Sequence, residues 1–271
     1  MTRPGTYRPP GAAGGRWWPV TLPGPGHDVP ARVYRPGHAP HGWLVWAHGG
    51  SWRAGSAAGW HAATADLAHA AGATVVSVDY RLAPAHRHPA ALTDLLAAMD
   101  WAQEHGAGPV AVGGDSAGAT LAASAALVWR DRHRPLAAQV LAYPPIDPGC
   151  HAPSYHRRPH AFPGPAELAA AWRDYRGGAG RHPAATAPTP LYSTPAEATD
   201  LTGAAPAVLA VGTLDPVADD VLAYACRLRA AGTPTRLLRF PGGRHGAFLT
   251  DPAFRHRLGT AYAAVHSRET T

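Results

Sequence analysis

The segment from residue 110 to 121 constrains the fold of this chain most, because it reads as a strand, a tight turn and a helix without a spacer. Three apolar residues lead into Gly-Gly-Asp-Ser-Ala-Gly, and small residues continue as a helix over Ala119–Trp129. The turn holds a Gly-x-Ser-x-Gly pattern centred on Ser116, in the strand-to-helix context of a nucleophile elbow. Gly114 and Gly118 would let the strand and the helix nearly touch. The alternative is a Gly-rich turn with an incidental serine.

The rest of the chain alternates buried apolar runs with helical spacing, which predicts a mostly parallel sheet with helices on both faces. We therefore predict an α/β fold in one domain spanning residues 1–271. Two opening strands, Trp17–Leu22 and Ala31–Tyr34, predict an antiparallel edge. The predicted parallel strands are Trp43–Ala47, Thr74–Val78, Val110–Val112, Ala137–Tyr143, Ala207–Val211 and Thr235–Phe240.

Two segments depart from this alternation. Residues 1–15 are rich in Gly and Pro and lack an apolar run, which predicts a mobile tail. Residues 147–204 contain many Pro, Gly and His residues and one clear helical segment, Pro165–Tyr175. Because a loop this long is uncommon inside a compact domain, we predict that it forms an inserted cap over the site.

The composition excludes several functional classes. The 271 residues carry a formal charge of +6, but their arginines are scattered, which argues against a nucleic-acid partner. No apolar run approaches the roughly 18 residues of a membrane span, so neither a membrane partner nor a signal segment is expected. Cys150 and Cys226 are too far apart for a disulfide framework or a metal knuckle. The spacing of His151, His156 and His160 fits no familiar zinc pattern. We expect a cytoplasmic protein without metal or cofactor, and a homodimer is one assembly that the sequence leaves open.

A serine hydroxyl needs a general base to become a nucleophile, and the base needs a carboxylate to orient it. Asp215 and His245 each follow a predicted strand, and the order Ser116, Asp215, His245 is that of an α/β-hydrolase triad. All three should converge at the carboxyl edge of the sheet. Asp215 also precedes a proline and a helical segment, so it can serve as a helix N-cap as well.

A glycine-rich segment, His48 to Trp52, follows the first parallel strand. Glycines there let backbone N–H groups approach a carbonyl oxygen closely, which is what an oxyanion hole requires. We predict donors at Gly50 and Ser51, with the N–H of Ala117 as the third. Gly49 is the alternative donor if the loop is offset by one residue.

Together these segments resemble the hormone-sensitive-lipase-like family of α/β-hydrolases. The resemblance covers about residues 40–265 and rests on His-Gly-Gly-Ser-Trp (48–52), Tyr-Arg-Leu-Ala-Pro (80–84), Pro-Ala-Ala (89–91), Gly-Asp-Ser-Ala-Gly (114–118), Asp-Pro (215–216) and His-Gly (245–246). Ser51 replaces the third glycine of the family's oxyanion segment. The form His-Gly-Gly-x-Trp is also similar to that of arylformamidases.

The resemblance implies a serine hydrolase that cleaves esters of small or medium acyl groups through an acyl-enzyme. Three alternatives stay open: amide or formamide hydrolysis, acyl transfer or lactone formation, and a ligand-binding module on an inactive hydrolase fold. Trp52, Val217, Phe248 and the cap residue Trp172 are candidates for substrate contact, with packing in the core as the simpler role for each. Tyr155, His156, Phe162 and Tyr175 are further candidates from the cap.

Overall fold

The computed structural model describes residues 5–7, 15–106, 108–177 and 189–266. Over these residues the chain forms one sheet of nine strands, in the order β1-β2-β3-β5-β4-β6-β7-β8-β9. The strands are β1 (Gly5–Tyr7), β2 (Gly15–Pro23), β3 (Asp28–Arg35), β4 (Trp43–Ala47), β5 (Thr74–Val78), β6 (Val110–Asp115), β7 (Gln139–Ala142), β8 (Ala207–Gly212) and β9 (Thr235–Phe240). The helices are α1 (His61–Ala71), α2 (Ala90–His105), α3 (Ala117–Asp131), α4 (Pro153–Arg157), α5 (Pro165–Arg176), α6 (Ala218–Ala230), α7 (Ala247–Thr250) and α8 (Pro252–His266).

The sheet is antiparallel at one edge and parallel elsewhere. Strands β1, β2 and β3 pair antiparallel with their neighbours, and β3 pairs antiparallel with β5. From β5 to β9 every pairing is parallel. Because parallel strands end at the same edge, the residues after β4, β6, β7, β8 and β9 come together there. The structure confirms the predicted mostly parallel sheet with an antiparallel edge.

Two helix pairs cover the sheet. Helix α1 packs against α8, and α2 packs against α3, with each pair contacting the strands beneath it. Helix α3 consists mainly of Ala and other small residues, and nearly all of it is buried. Small side chains let this helix lie close to β6, which it follows directly. The predicted helices on both faces are confirmed.

The structure differs from the prediction at the start of the chain. We predicted a mobile tail over residues 1–15, yet Gly5–Tyr7 pairs with β2, and Gly15 begins β2 itself. The outer edge of β2 offers free backbone groups, which a short segment can pair with whatever its side chains are. Residues 1–4 and 8–14 of that prediction lie outside the described residues.

The connection from β7 to β8 contains the segment for which we predict a cap. It forms α5 over Pro165–Arg176, close to the predicted Pro165–Tyr175, and adds the short helix α4 and a 3-10 turn at Pro195–Glu197. Helix α5 begins with Pro165 and ends at Arg176, and its C-cap residue Gly177 adopts a left-handed conformation with φ of 79°. Residues 178–188 of the predicted cap lie outside the described residues.

Candidate active site

Ser116 lies on the turn between β6 and α3 in a strained conformation, with φ of 52° and ψ of −122°. The backbone stays in this strained conformation because the close contacts around Ser116 leave no space for a different one. A Cβ atom at Gly118 would lie 2.0 Å from the carbonyl oxygen of Ala47, and one at Gly114 would lie 2.6 Å from the same oxygen. The glycines therefore allow the helix to begin directly against the sheet, which holds Ser116 at the carboxyl edge.

Ser116, His245 and Asp215 form one chain of hydrogen bonds. The Oγ of Ser116 lies 2.8 Å from Nε2 of His245, and Nδ1 of His245 lies 3.0 Å from both carboxylate oxygens of Asp215. The His245 side chain is 3% exposed and that of Asp215 is 0% exposed. In the tautomer that suits these contacts, Nδ1–H donates to Asp215 and Nε2 accepts the serine proton. The structure thus brings the three predicted residues together in the geometry of a nucleophile, a base and an orienting acid.

Asp215 serves a second role at the start of α6. Its Oδ1 also accepts a hydrogen bond of 3.0 Å from the N–H of Val217. Val217 holds the N-cap position of α6, so the N-cap role predicted for Asp215 is wrong. The bond of Asp215 to the N–H of Val217 instead closes the turn that precedes the helix. Nearby Asp220 is buried and accepts from the N–H groups of Ile146 and Asp147 and from the hydroxyl of Tyr155. Burial raises the pKa of Asp220, while the three donors oppose that shift.

The glycine-rich loop after β4 presents free backbone donors. In the described part of the chain, the N–H groups of Gly50, Ser51 and Ala117 have no protein acceptor. Gly50 has φ of 114°, and Ser51 and Trp52 have φ of 55° and 59°. These consecutive positive values turn the loop sharply. A Cβ at Gly50 would lie 2.0 Å from the carbonyl oxygen of Ala54, so only glycine fits there.

Gly49 is not available as the alternative donor that we predicted. Its N–H donates to Oδ1 of Asp115 at 3.1 Å, and a Cβ at Gly49 would lie 2.7 Å from Oδ2 of the same residue. The contact ties the loop to the residue that precedes Ser116. Its physical reason is the buried carboxyl of Asp115, which needs donors and takes this one.

Asp115 was not singled out from the sequence, although it lies between the two loops. It is 3% exposed and also accepts a hydrogen bond of 2.9 Å from Nε1 of Trp60. Burial raises the pKa of Asp115 to about 7, and the bonds from Trp60 and Gly49 oppose that shift. The signal in the sequence is an acidic residue inside a buried strand, which must find partners when the chain folds.

His48 helps to fix the conformation of the glycine-rich loop that contains Gly49 and Gly50. Its ring stacks on Tyr80 with centroids 4.3 Å apart, and the Tyr80 hydroxyl donates to the His48 carbonyl oxygen at 2.7 Å. Nδ1 of His48 lies 2.7 Å from the carbonyl oxygen of Gly49. Burial lowers the pKa of His48. These contacts orient the loop. They also engage the His48 ring with Gly49 and Tyr80, so His48 is not placed as a base for Ser116.

The four residues predicted to contact substrate are buried in protein. Trp52, Val217 and Phe248 are 0% exposed and Trp172 is 1% exposed. Trp52 stacks on Tyr175 of α5 with ring centroids 4.7 Å apart and an angle of 9° between the planes. Their simpler role as packing residues is therefore the one in the structure. The substrate-contact prediction is wrong for Trp52 and Trp172 because the ring of Trp52 packs against α5, and wrong for Phe248 because its ring stacks on Trp46 of β4 at 4.7 Å. Val217 is buried at the N-terminus of α6.

Two aromatic residues lie beside His245. The sequence analysis predicted no role for Tyr143 and named Phe162 only as a further candidate from the cap. Tyr143 follows β7, its ring lies 4.7 Å from the His245 ring, and its hydroxyl accepts from the N–H of Phe248 at 2.9 Å. Phe162 of the cap lies edge-on to His245 at 5.8 Å and is 60% exposed. Tyr143 directly follows a parallel strand, as Ser116 does, so the rule that site residues lie after the carboxyl ends of parallel strands could have found it. Phe162 carries no comparable signal.

Helix α7, which follows His245, is held by a buried arginine. Nη1 of Arg255 donates to the carbonyl oxygens of Phe248 and Leu249 at 2.8 and 3.2 Å. Its Nη2 donates to Asp66 of α1 at 2.8 Å. The guanidinium thus fixes the end of the histidine loop to the helix layer.

The described residues contain no group of three or more His, Cys, Asp and Glu side chains placed to hold a metal ion. Both cysteines are free, Cys150 buried and Cys226 exposed. Within the described ranges, no helix combines the length and apolarity needed to cross a bilayer.

Comparison with known proteins places this site in context. A profile of the alpha/beta hydrolase fold family matches residues 44–249. The carboxylic ester hydrolase LipN of Mycobacterium tuberculosis is 37% identical over 245 residues, which cover 85% of this chain and 63% of LipN. The chain thus spans less than two thirds of that relative.

Other relatives align over more of their length. The carboxylesterase NlhH of M. tuberculosis is 37% identical over 257 residues, covering 88% of this chain and 78% of NlhH. The solved structure of a hyperthermophilic esterase from Pyrobaculum calidifontis superimposes with a TM-score of 0.83 at 32% identity. The superposition covers 94% of this chain and 87% of that one.

Proposed function

Because the chain belongs to the hormone-sensitive-lipase-like family of α/β-hydrolases, we propose that it hydrolyses carboxylic esters with Ser116 as its nucleophile. The observation that carries the proposal is the continuous hydrogen-bond chain from Asp215 through His245 to Ser116. The names of LipN, NlhH and the Pyrobaculum enzyme, all ester hydrolases, support the same reaction.

The reaction proceeds in two halves. Ser116 Oγ attacks the ester carbonyl while Nε2 of His245 takes its proton, and Asp215 stabilises the imidazolium that forms. His245 then gives this proton to the leaving alcohol oxygen, and the C–O bond breaks to leave an acyl-enzyme. Water attacks the acyl carbon while His245 takes its proton. The bond between the acyl carbon and Oγ then breaks, and His245 returns the proton to Oγ of Ser116 as the acid leaves.

The oxyanion forms in front of the glycine-rich loop. The N–H groups of Gly50, Ser51 and Ala117 donate to it, whereas Gly49 is kept occupied by Asp115. Ala117 is the first residue of α3, so the positive end of this helix adds to the stabilisation. Donors of this kind are each worth about 10²–10³ in kcat.

We propose small to medium acyl groups as substrates and the segment 147–204 as the cap that shapes their pocket. The buried Trp52 and Trp172 support this, because they fill space beside the oxyanion loop that a long acyl chain would need. A homodimer and a cytoplasmic location stay predictions from the sequence.

A fluorophosphonate probe tests the nucleophile directly. The intact protein should be labelled and should hydrolyse p-nitrophenyl acetate and butyrate, and Ser116→Ala should abolish labelling and lower kcat by about 10⁴-fold or more. Ser124→Ala is the matched control, because Ser124 is a buried serine of the same helix α3 without a hydrogen-bond partner in the described residues. Absence of labelling in the intact protein would overturn the proposal. Faster turnover of N-formylkynurenine than of the esters would favour formamide hydrolysis instead.

A further inference from the structure

A cleft lined by cap residues and by the residues that precede Asp215 and His245 has no part in the mechanism above. Its volume is about 260 Å³, and it is lined on one side by Arg157, Arg158 and His160 of the cap and on the other by Leu214 and Arg244. Leu214 and Arg244 directly precede the acid and the base of the triad. The cleft is therefore one residue along the chain from both the acid and the base.

The cleft carries positive charge that nothing nearby balances. Arg157 is paired with Asp219 at 2.8 Å and is therefore neutralised. Arg158 and Arg244 have no carboxylate within ion-pair distance in the described part of the chain, and no acidic residue is among those lining the cleft. Two uncompensated guanidinium groups thus face a space large enough for one small group.

An exposed aromatic residue connects the rim of the cleft to the catalytic base. Phe162 follows Ala161, which lines the cleft, and its ring lies edge-on to His245 at 5.8 Å. The side chain is 60% exposed, although large apolar residues of the described chain are mostly buried. An exposed aromatic ring beside a catalytic base is explained if part of the substrate covers it.

We propose that this cleft binds the alcohol portion of the ester and selects alcohols that carry a carboxylate on an apolar group of about aryl size. This inference rests on the proposed ester hydrolysis. His245 must protonate the leaving oxygen, so the alcohol portion lies on the side of His245, whose ring contacts Phe162 next to the cleft residue Ala161. Phe162 contacts the apolar part, and Arg158 and Arg244 bind the carboxylate, which guanidinium groups match in charge and planar geometry.

Two acetate esters with the same skeleton test this. 4-Acetoxybenzoate carries a carboxylate on its leaving phenol, and 4-acetoxybenzamide carries a neutral amide there. We expect kcat/KM, divided by the rate of hydroxide hydrolysis of each ester, to be about tenfold higher for the anionic ester. Each exposed charge contact contributes roughly two- to fivefold. Arg158→Gln and Arg244→Gln should each lower the ratio of the normalised kcat/KM values, anionic to neutral ester, by roughly two- to fivefold. The double variant should bring this ratio near one.

Arg244→Lys should keep part of the preference, because the charge remains. The matched control is Arg236→Gln, which removes one exposed arginine at the opposite end of β9 and should leave the ratio unchanged. If the intact protein hydrolyses both esters at equal normalised rates, or if Arg236→Gln lowers the ratio as much as Arg244→Gln, the cleft has no such specificity. If neither ester is hydrolysed, the proposed function itself fails.

Discussion

At the scale of single residues, Asp115 joins the two loops that the chemistry needs. One of its carboxyl oxygens accepts from the N–H of Gly49 and from Nε1 of Trp60, at 3.1 and 2.9 Å. The first bond fixes the oxyanion loop against the residue before Ser116. Burial raises the pKa of Asp115 to about 7, so the group changes its charge near neutral pH.

This pKa predicts a specific pH dependence of stability. The pKa of an unfolded aspartate is about 3.9, so between pH 4 and 7 the folded chain holds a proton on Asp115 that the unfolded chain has lost. The free energy of unfolding should therefore fall as the pH rises through this range, by up to about 4 kcal/mol from this group. Asp115→Asn removes the titration, while its amide oxygen can still accept both bonds. Urea unfolding at pH 4.5 and 7.5 should show the wild type losing stability relative to this variant.

Asp115→Ala distinguishes the hydrogen bonds from the charge. It leaves Gly49 and Trp60 without their acceptor, so it should cost about 2 kcal/mol or more at both pH values. It should also lower kcat/KM, because the oxyanion loop loses its anchor. A stability difference between the wild type and Asp115→Asn that is the same at both pH values would contradict the raised pKa.

The proximity of Ser116, Asp215 and His245 could be predicted from the sequence because Asp215 and His245 each follow a predicted strand in the order that the fold requires. The surroundings of Trp52 could not. Its position after the oxyanion glycines suggested a contact with substrate, but its ring packs on Trp172 and Tyr175, which lie far along the chain. Long-range packing of this kind leaves no local pattern. The hydrogen bond that occupies the N–H of Gly49 could not be predicted either, because its acceptor, Asp115, is also distant in the sequence.

At the scale of secondary structure, the approach of α3 to β4 and β6 fixes the elbow. The contact depends on Gly118, because a Cβ there would lie 2.0 Å from the Ala47 carbonyl oxygen. Strand β6 ends at Asp115 and α3 begins at Ala117, so the turn has no residue that could absorb a shift.

Gly118→Ala should therefore push α3 away from the sheet and misplace Ser116. We expect kcat/KM to fall by about 10²-fold or more, since a displacement of about 1 Å has effects of this size. Overpacking should also lower the free energy of unfolding by about 1–3 kcal/mol. Esterase assays and urea unfolding measure the two effects. Gly59→Ala is the control, because its nearest neighbour would lie 3.5 Å from the added Cβ. Full activity in Gly118→Ala would disprove this account of the elbow.

The elements that could be predicted best are those with the strongest apolar pattern. Strands β4 and β5 have the bounds that their sequences predict, because each is an apolar run that ends at a polar or glycine-rich segment. Strand β9 also has its predicted bounds, although it contains two arginines and only part of it is buried. Helix α4 was missed, since five residues are too few to show helical periodicity. Its place is set by distant side chains: Asp219 accepts from the N–H of Ser154 at 3.0 Å.

At the scale of the whole molecule, helix α5 connects the cap to the oxyanion loop. Tyr175 stacks on Trp52, and its carbonyl oxygen accepts from the N–H of His88 at 2.7 Å. Arg53 also pairs with Asp174 at 3.3 Å, but both side chains are partly exposed, so this ion pair contributes little. The buried stack is therefore the main link between the cap and the loop that carries Gly50 and Ser51.

This link predicts that a change in the cap alters the chemistry of the loop. Tyr175→Ala would leave a cavity beside Trp52, which should cost about 3–5 kcal/mol of stability. Because Trp52 has φ of 59° and is kept there by its packing, the loop should also relax, and kcat should fall about tenfold or more. Tyr175→Phe keeps the stack and loses only the contact of its hydroxyl with Nδ1 of His88. It should cost about 1 kcal/mol and keep most of kcat.

Tyr262→Ala separates loss of the link from general loss of stability. Tyr262 is also 0% exposed, but it lies on α8, in the helix layer and away from the cap. Its truncation should destabilise the chain as much as Tyr175→Ala does. Activity per folded molecule, measured well below the unfolding transition of each variant, should fall in Tyr175→Ala and stay near the wild type in Tyr262→Ala. Equal losses in the two variants would mean that the cap affects catalysis only through overall stability, and that the oxyanion loop keeps its shape without α5.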